Sequence, residues 1–356
     1  MRRGLSSSGD FQPVYDPAGF DAELRVAVEE VAVGRWIGMR DLLRRTGRDW
    51  ALRTSRSQVL GAAAARSDVV RLWLREEPES VDAVVMQARV AVQWAVRAHR
   101  RGHRDAGWWE EEARRVCRAA AQRVPLDPVP WVCLLALASL DTAVDVERRR
   151  PEHRIVPREP LLPIGPWGLL DRVNERDPGN REAYHHVLRF FQAQAGSACA
   201  PAIDFVRWVT SWAPDGSPLL VLPAYAHVER YRAQVAQGSR DPLLRRQWVA
   251  DPVLRDTLRA LTGWFDHAAI RGARSVRDLS YLAHALWAGC QYDQAGRVFA
   301  ALGQHADKLP WAYVAETPEL AETELRRARL QCEAASYGDK PRAGPRWRAT
   351  PAYRPQ

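Results

Sequence analysis

The sequence predicts an all-α fold, and three observations support this prediction. From about Ala18 onward, apolar residues recur at steps of three and four, as in "DAELRVAVEEVAVG", which is the spacing of one face of a helix. Alternating runs of β-branched residues bounded by a two-residue hairpin turn, which are typical of paired strands, are missing. The periodic segments are interrupted at glycines and prolines, which end helices.

The first periodic segment is predicted to end at Gly34, because glycine adopts the left-handed conformation that closes many helices. Residues 18–147 are therefore predicted to form an N-terminal helical array, and residues 1–17, which lack periodicity, a flexible N-terminus. The further amphipathic segments of this array are "RWIGMRDLLRRTG", "SQVLGAAAARSDVVRLWLREE", "VDAVVMQARVAVQWAVRAHR" and "GWWEEEARRVCRAAAQRV".

A proline-rich stretch, residues 148–168, follows this array. Its sequence, "RRRPEHRIVPREPLLPIGPWG", contains five prolines, and proline in a helix interior removes a hydrogen bond and clashes with the preceding turn. We expect a connection or domain boundary here. Residues 169–337 are predicted to form a C-terminal helical repeat array, and residues 338–356 a basic, flexible tail.

Three helix breaks are evenly spaced along the chain. Pro78, Pro128 and Pro178 lie 50 residues apart, and each follows one amphipathic segment and precedes another. A regular period of this length is typical of stacked helix pairs. The third break belongs to "LLDRVNERDPGNREAYHHVLRFF", in which two amphipathic segments flank the sequence Asp-Pro-Gly-Asn.

A local pattern in the C-terminal half indicates how such pairs would pack. In "YLAHALWAGCQYDQAGRVFAALG", the small residues would let two helix axes approach while the large ones fill the seam. This pattern resembles the tetratricopeptide repeat, although Leu279 stands where tryptophan is usual and Leu302 where alanine is usual. The packing positions are Leu282, Ala283, Leu286, Tyr292, Ala295 and Phe299.

The resemblance implies stacked antiparallel helix pairs that form an α-α superhelix. In that family the first helix of each pair lines a concave groove, so four residues of the segment after Pro178 would project into it. Arginine and histidine at such positions can hold a carboxylate or a phosphate by charge-assisted hydrogen bonds. The predicted partner-binding residues are Glu182, His185, Arg189 and Gln192, joined by His227 and Arg230 of the polar, aromatic segment "AYAHVERYR".

The spacing of Glu182 and His185 also suggests a metal site, since Glu-x-x-His places both side chains on one helix face. Di-iron carboxylate proteins use two such motifs, and no second copy occurs in this chain. We therefore predict neither a metal site nor a cofactor. The sequence also lacks a Gly-x-Ser-x-Gly elbow and a phosphate-binding Gly-Lys-Ser/Thr loop.

The net charge of +9 raises the possibility of nucleic-acid binding. Only two of the basic residues are lysines, a composition that, with abundant alanine and valine, resembles that of proteins from GC-rich bacterial genomes. Arginines alternate with acidic residues through most segments, as in "EEEARR", which favours local ion pairs on solvated faces. Binding of DNA or RNA is therefore only the third hypothesis.

The five cysteines and the apolar segments favour a cytoplasmic protein. The cysteines are widely and irregularly spaced, without the two-residue gap of zinc or redox motifs. The N-terminus has no apolar core typical of a secretory signal. The most apolar segment, "WVCLLALASL", is too short to span a bilayer, so membrane insertion is not expected.

The fifteen tryptophans indicate a folded chain, because disordered segments contain few aromatic residues. Trp73 and Trp94 fall at apolar positions of predicted helices and are expected in the core. Trp108 and Trp109 are adjacent and point about 100° apart on a helix. One of this pair is therefore expected to be partly exposed.

These observations predict a non-catalytic scaffold or adaptor that binds a protein or peptide segment in a concave helical groove. A second hypothesis is a helical enzyme or small-ligand-binding protein whose pocket lies near His185 and His227. The third is a nucleic-acid-associated protein that uses its arginine-rich surface.

Overall fold

A computed structural model of the chain describes residues 11–143, 145–194, 200–236, 242–267 and 274–338. The predictions for residues 1–10 and for the tail after residue 338 lie outside these ranges. Within them the protein is all-α, as predicted. Extended pairing in the described ranges is limited to two isolated bridges, Val14 with His305 and Ile155 with Gly165.

The α-helices of the described residues follow one another through short connections. They are α1 (Ala22–Ala32), α2 (Ile37–Thr46), α3 (Trp50–Ala64), α4 (Val69–Glu76), α5 (Val81–Arg100), α6 (Ala106–Arg123), α7 (Val129–Ala138), α8 (Trp167–Asn174), α9 (Arg181–Gln194), α10 (Ala200–Trp212), α11 (Leu222–Ala236), α12 (Asp251–Ala260), α13 (Val276–Ala288), α14 (Tyr292–Leu302), α15 (Trp311–Val314) and α16 (Ala321–Gly338). Short 3-10 segments lie between them at Val146–Arg148, Pro151–His153, Pro218–Val221, Pro242–Val249 and Pro318–Leu320, and a π-helical turn at Leu261–Phe265.

The ends of the helices have the local chemistry that the sequence suggests. Side chains of Asp21, Ser80 and Ser275 accept hydrogen bonds from the first turns of α1, α5 and α13, which satisfies backbone N–H groups that have no partner in the helix. Gly34, with φ of +81°, follows α1 as predicted. Only glycine adopts this left-handed conformation without strain.

The three evenly spaced prolines all lie between helices. Pro78 separates α4 from α5, Pro128 directly precedes α7, and Pro178 separates α8 from α9. The first interval therefore contains α5 and α6, which pack against each other, and the second contains α7 and α8, which also pack together. This is an array of packed helices compatible with a helical repeat fold.

One large apolar core joins α5 to the helices that follow, up to α16. A smaller cluster fills the space among α1 to α4 and closes against α5. The large core contains residues on both sides of residues 148–168, so side chains before and after this stretch share one interior. A division into domains there stays a prediction.

The proline-rich connection is attached to the body by ionic contacts. His153 is fully buried, and its Nδ1 lies 2.7 Å from Oδ2 of Asp141. Arg114 of α6, also buried, donates to a carboxylate oxygen of Glu152 at 2.5 Å. These contacts hold the connection against α6 and the end of α7.

The most apolar segment of the sequence falls mainly in α7, which has ten residues and is buried in the large core. Across the described ranges, none of the helices combines the length and apolar character needed to cross a membrane.

The pair α13 and α14 has most of the packing expected from its sequence. Leu282, Ala283 and Leu286 of α13 are fully buried, as is Ala295 of α14, and Phe299 is 3% exposed. The exception is Tyr292, the first residue of α14.

Tyr292 was expected to pack in this seam, but 36% of its surface is exposed. Its hydroxyl faces the Cys290 sulfur at 3.8 Å. A residue in the first turn extends beyond the facing helix, so its ring covers the rim of the seam and does not fill it.

Residues 11–17, which the sequence assigns to a flexible segment, lie against the C-terminal helices. Val14 donates to the Gln304 carbonyl at 2.8 Å and accepts from the Ala306 amide at 3.0 Å. Phe20 packs edge to face on His305, with ring centroids 4.9 Å apart. Val14 and Phe20 thus contact the segment that follows α14, a non-local pairing that periodicity cannot reveal.

Candidate functional site

Helix α9 packs against the N-terminal and C-terminal helices of the molecule at once. It contacts α3 and α7 on one side and α11 on another. Successive side chains on a helix point about 100° apart, so neighbouring polar residues of α9 face different surroundings. Glu182 and His186 face α3 and α5, whereas Arg181 and His185 face α11 and α13.

The first of these faces holds a buried ion pair. Both carboxylate oxygens of Glu182 accept from Arg89 of α5, at 2.6 and 2.8 Å, and Gln58 of α3 donates at 2.9 Å. Burial alone would raise the pKa of Glu182, but the charge of Arg89 and the contact with His186 lower it to about 2. Glu182 is 5% exposed and its oxygens have internal partners. Glu182 was predicted to line an open groove, whereas the structure places it in the interior.

The second face is organised around Asp278, a fully buried carboxylate at the start of α13. Arg181 of α9 donates its Nε to this carboxylate at 2.5 Å, and the Tyr225 hydroxyl of α11 donates at 2.6 Å. The Tyr225 ring stacks on Tyr281 with centroids 3.6 Å apart. These contacts fix α9, α11 and α13 relative to one another.

His185 lies next to this hub. Its ring packs edge to face on Tyr225 with centroids 4.5 Å apart. Burial and the charges of Arg181 and Arg189 hold the pKa of His185 well below its usual range. Its buried Nε2 has no hydrogen-bond partner among the described residues. The same nitrogen lies 3.9 Å from Oδ1 of the buried Asp278, so it faces the interior of the molecule.

One turn further along α9, Arg189 differs from most arginines of the molecule. Within the described ranges it forms no ion pair, and its side chain is exposed. Burial nevertheless lowers its pKa, as do the charges of Arg277 and Arg100. Arg189 is therefore accessible at the surface, and the positive charges of two other arginines act on it.

We define the arginine cleft as the group formed by Arg100 of α5, His185 and Arg189 of α9, and Arg277 and Tyr281 of α13, whose members lie close enough to influence the pKa of Arg189 or His185. Arg277 is 46% exposed at its side chain and donates to Asp307 at 2.7 Å. Tyr281 is 4% exposed, so only its edge reaches the cleft. Arg100 ends α5 and is exposed, again without an ion pair in the described part of the chain.

The remaining predicted site residues are divided between two places. Gln192, three residues after Arg189, is half-buried and continues the same face of α9. On α11, His227 is 5% exposed, and its Nε2 lies 3.5 Å from Asp256 of α12. Arg230 donates to Gln247 at 3.1 Å.

His185 and His227 therefore face different sides of α11, and the structure does not bring them together. His185 contacts Tyr225, which points toward α9 and α13, while His227 points toward α12. Residues two apart on a helix lie on nearly opposite faces, which accounts for this separation. A shared pocket for the two histidines does not fit the geometry.

Sequence reasoning missed the residues contributed by other helices. Arg181, His185 and Arg189 recur at four-residue steps, as do Arg277 and Tyr281, so each set lies on one helix face. This spacing could have identified both helix faces from the sequence. The meeting of the two faces with the end of α5 depends on contacts between distant parts of the chain.

The cleft can hold an anion by hydrogen bonding and charge. Guanidinium groups present several donors in a planar fork that matches a carboxylate or phosphate. In the part of the chain that the structure describes, no group of three or more histidine, cysteine, aspartate or glutamate side chains could hold a metal ion. Among these residues, Glu182 and His185 are thus not joined by a second set of metal-binding side chains.

No protein-family model, curated protein or solved structure matches this chain. What the chain does must therefore be inferred from its own side chains.

Proposed function

We propose that the chain is a non-catalytic binding protein of tetratricopeptide-like architecture, whose arginine cleft receives an acidic segment of a partner protein. The observation that carries the proposal is Arg189. It is exposed in the cleft, lacks a carboxylate partner among the described residues, and lies close enough to Arg277 and Arg100 for their charges to lower its pKa.

The electrostatics favour an anionic ligand. Like charges that share a partly desolvated site repel one another, and the repulsion is stronger there than in water. The Asp307 carboxylate accepts a hydrogen bond from Arg277. The Asp278 carboxylate already accepts hydrogen bonds from Arg181 and Tyr225. A carboxylate entering the cleft would relieve the repulsion and form charge-assisted hydrogen bonds.

The dimensions favour a segment over a single small anion. The cleft face of α9 runs from His185 to Gln192, about 11 Å at the helical rise of 1.5 Å per residue. An extended peptide of about three residues has this length. A helix face of this kind, with polar and charged side chains at successive turns, suits recognition of a peptide.

Nucleic acid fits the cleft less well. Binding of single strands uses aromatic rings on which bases stack, and the aromatic rings at this cleft are engaged with each other. Tyr281 is 4% exposed and stacked on Tyr225. The arginines alone would still attract a phosphate backbone, so duplex DNA belongs in the test as a competing ligand.

The architecture part of the proposal is supported by the packing of α13 and α14. Small buried residues at Ala283 and Ala295 allow the two helices to approach, and Leu286 and Phe299 fill the space between them. Helix pairs also occupy the intervals between Pro78, Pro128 and Pro178. In the tetratricopeptide family such pairs build binding grooves, which agrees with the proposed role.

The test is affinity purification of the full chain from its own cells, comparing the wild type with Arg189→Glu. Arg104→Glu is the matched control, because Arg104 is 90% exposed at its side chain and contacts only the neighbouring Asp105 among described residues. We expect a stoichiometric partner protein with the wild type and with the control variant, and its loss with Arg189→Glu.

A direct measurement uses a labelled oligoglutamate peptide and, separately, a labelled DNA duplex. We expect the peptide to bind the wild type and to bind Arg189→Glu at least about tenfold more weakly, since a hydrogen bond to a charged group contributes ~1.5–3 kcal/mol. Equal partner recovery and equal peptide affinity for both proteins would refute the proposal. Binding of DNA with no peptide binding would favour the nucleic-acid hypothesis.

A further inference from the structure

The outer face of α6 forms a second surface with unusual features. Trp108, at the start of this helix, is 60% exposed, although adjacent Trp109 is half-buried. Beside it lies a shallow depression of about 510 Å³, lined entirely by α6 side chains. The lining residues are Trp108, Glu111, Glu112, Arg115, Arg118, Ala119 and Gln122.

These residues form one continuous stripe along the helix. Their spacing of three and four residues over four turns is the spacing with which one helix presents a seam to another. The charges are divided along it: Glu111 and Glu112 lie in the first half, and Arg115 and Arg118 in the second. The stripe is therefore acidic toward the N-terminus of α6 and basic toward its C-terminus.

A helix with this division of charge is complementary to itself in an antiparallel arrangement. In a two-fold symmetric pair, one surface patch meets the same patch of the other copy. If the axis passes beside Arg115, Glu112 of each copy faces Arg118 of the other. Trp108 then lies over Ala119 and Gln122 of the other copy, where the Arg118 stem can cover the indole ring.

The existing contacts of these side chains leave them available. Glu112 accepts from Arg115 at 2.6 Å, and Arg118 donates to Glu152 at 2.8 Å. The side chains of Arg115 and Arg118 are 70% and 51% exposed. Exposed ion pairs contribute little to stability, so Arg118 can leave Glu152 for the other copy at little cost. Near the axis, each Glu112 is shared between its own Arg115 and Arg118 of the other copy.

We propose that a second copy of this chain docks on the outer face of α6 through antiparallel, two-fold symmetric contacts. One helix face is smaller than a standard protein interface, so we expect a weak dimer that forms only at high protein concentration. The surface lies on α6, apart from the arginine cleft, and does not depend on the function proposed for that cleft.

The test is a charge exchange followed in full-length protein by sedimentation velocity at increasing concentration. Glu112→Arg places two arginines opposite each other at both contacts of the pair, and Arg118→Glu places two glutamates there. We expect each variant alone to be monomeric at concentrations where the wild type dimerises. An equimolar mixture restores both contacts, so it is expected to dimerise again.

Trp108→Ala serves as a second variant, with Trp212→Ala as its control because Trp212 is an exposed tryptophan of α10. We expect at least a tenfold rise in the dimer dissociation constant for Trp108→Ala and little change for the control. Circular dichroism establishes that all variants fold.

Four outcomes would overturn the proposal. Three are a wild type that stays monomeric at all concentrations, a dimer that Trp108→Ala leaves intact, and folded charge variants whose mixture does not associate. The fourth is dimerisation of either charge variant alone, as strongly as the wild type, which would place the interface elsewhere.

Discussion

The buried arginines and the arginines of the cleft have the same side chain and opposite surroundings. Arg89 lies between α3, α5 and α9, 4% exposed, with Glu182 accepting from two of its nitrogens. Arg53 and Arg114 are equally buried and each contacts two carboxylates. Arg189 is exposed, and the charges of Arg277 and Arg100 act on it. The first group holds helices together, and the second carries the proposed ligand contacts.

This contrast teaches how to divide an arginine-rich chain into structural and binding residues. A buried guanidinium with every partner supplied by its own chain is fixed by folding, and its loss would leave a buried carboxylate uncompensated. A guanidinium in a cleft, beside others of like charge, lowers stability slightly unless an anion joins it. Mutations at the two kinds of site should therefore differ in both stability and binding.

The largest effect is expected from Arg89→Met. It leaves the Glu182 carboxylate buried without its main partner, and breaking a buried pair from one side costs ~3–5 kcal/mol. Chemical denaturation of the variant measures the loss. The double variant Arg89→Met with Glu182→Leu removes both charges and should recover most of the free energy of unfolding. A single variant as stable as the wild type would show that this pair does not hold α5 to α9.

The pH dependence of stability should show the same pair. Because the folded-state pKa of Glu182 is lowered from 4.5 to about 2, its contribution is complete above pH 4.5 and is lost progressively as the pH falls toward 2. The shift corresponds to roughly 3 kcal/mol. The difference in free energy of unfolding between the wild type and Glu182→Gln should shrink by most of this amount between pH 6 and pH 2.5. A difference that is constant with pH would contradict the assignment.

A smaller effect is expected where α3 and α5 approach each other. A Cβ on Gly61 of α3 would lie 2.6 Å from the Cβ of Arg89, whereas a Cβ on Gly107 of α6 would meet nothing within 4 Å. Gly61→Ala must push the Arg89 backbone away, at a cost of ~1–3 kcal/mol. Gly107→Ala, also in a helix, should be neutral or slightly stabilising. Thermal unfolding of both variants compares the two positions directly.

The smallest change in stability is expected from Arg189→Met. Removing this charge relieves repulsion with Arg277 and Arg100 and leaves no carboxylate unpaired among the described residues. The free energy of unfolding should stay within about 0.5 kcal/mol of the wild type or rise slightly. A loss comparable with that of Arg89→Met would mean that Arg189 is a structural residue.

Periodicity was enough to predict most of the helices, because the local spacing of apolar residues marks the buried face of each helix. The segment "SQVLGAAAARSDVVRLWLREE", predicted as one run, instead contains the end of α3 and all of α4. The ends of α1 and the breaks at the three prolines follow from single residues whose backbone chemistry is restrictive. The position of Glu182 could not be predicted this way. Its partner Arg89 lies 93 positions away, and no local pattern shows which polar residue of α9 becomes buried.

The cleft was predictable only in part for the same reason. The four-residue steps of Arg181, His185 and Arg189 define one face of α9, and Arg189 was expected to project into a groove. The opposite wall comes from Arg277 and Tyr281 of α13, almost 90 positions further along the chain. Their position depends on Asp278, which brings Arg181 and Tyr225 together in the folded protein.

The measurement that tests the central claim most directly is the affinity of a labelled oligoglutamate peptide at increasing salt, for the wild type, Arg189→Met and Arg104→Met. Ionic contacts weaken as salt screens them. We predict binding to the wild type and to Arg104→Met that declines steeply with salt, and weaker binding with a shallower decline for Arg189→Met, at unchanged stability. Identical affinity and salt dependence for all three proteins would contradict the account.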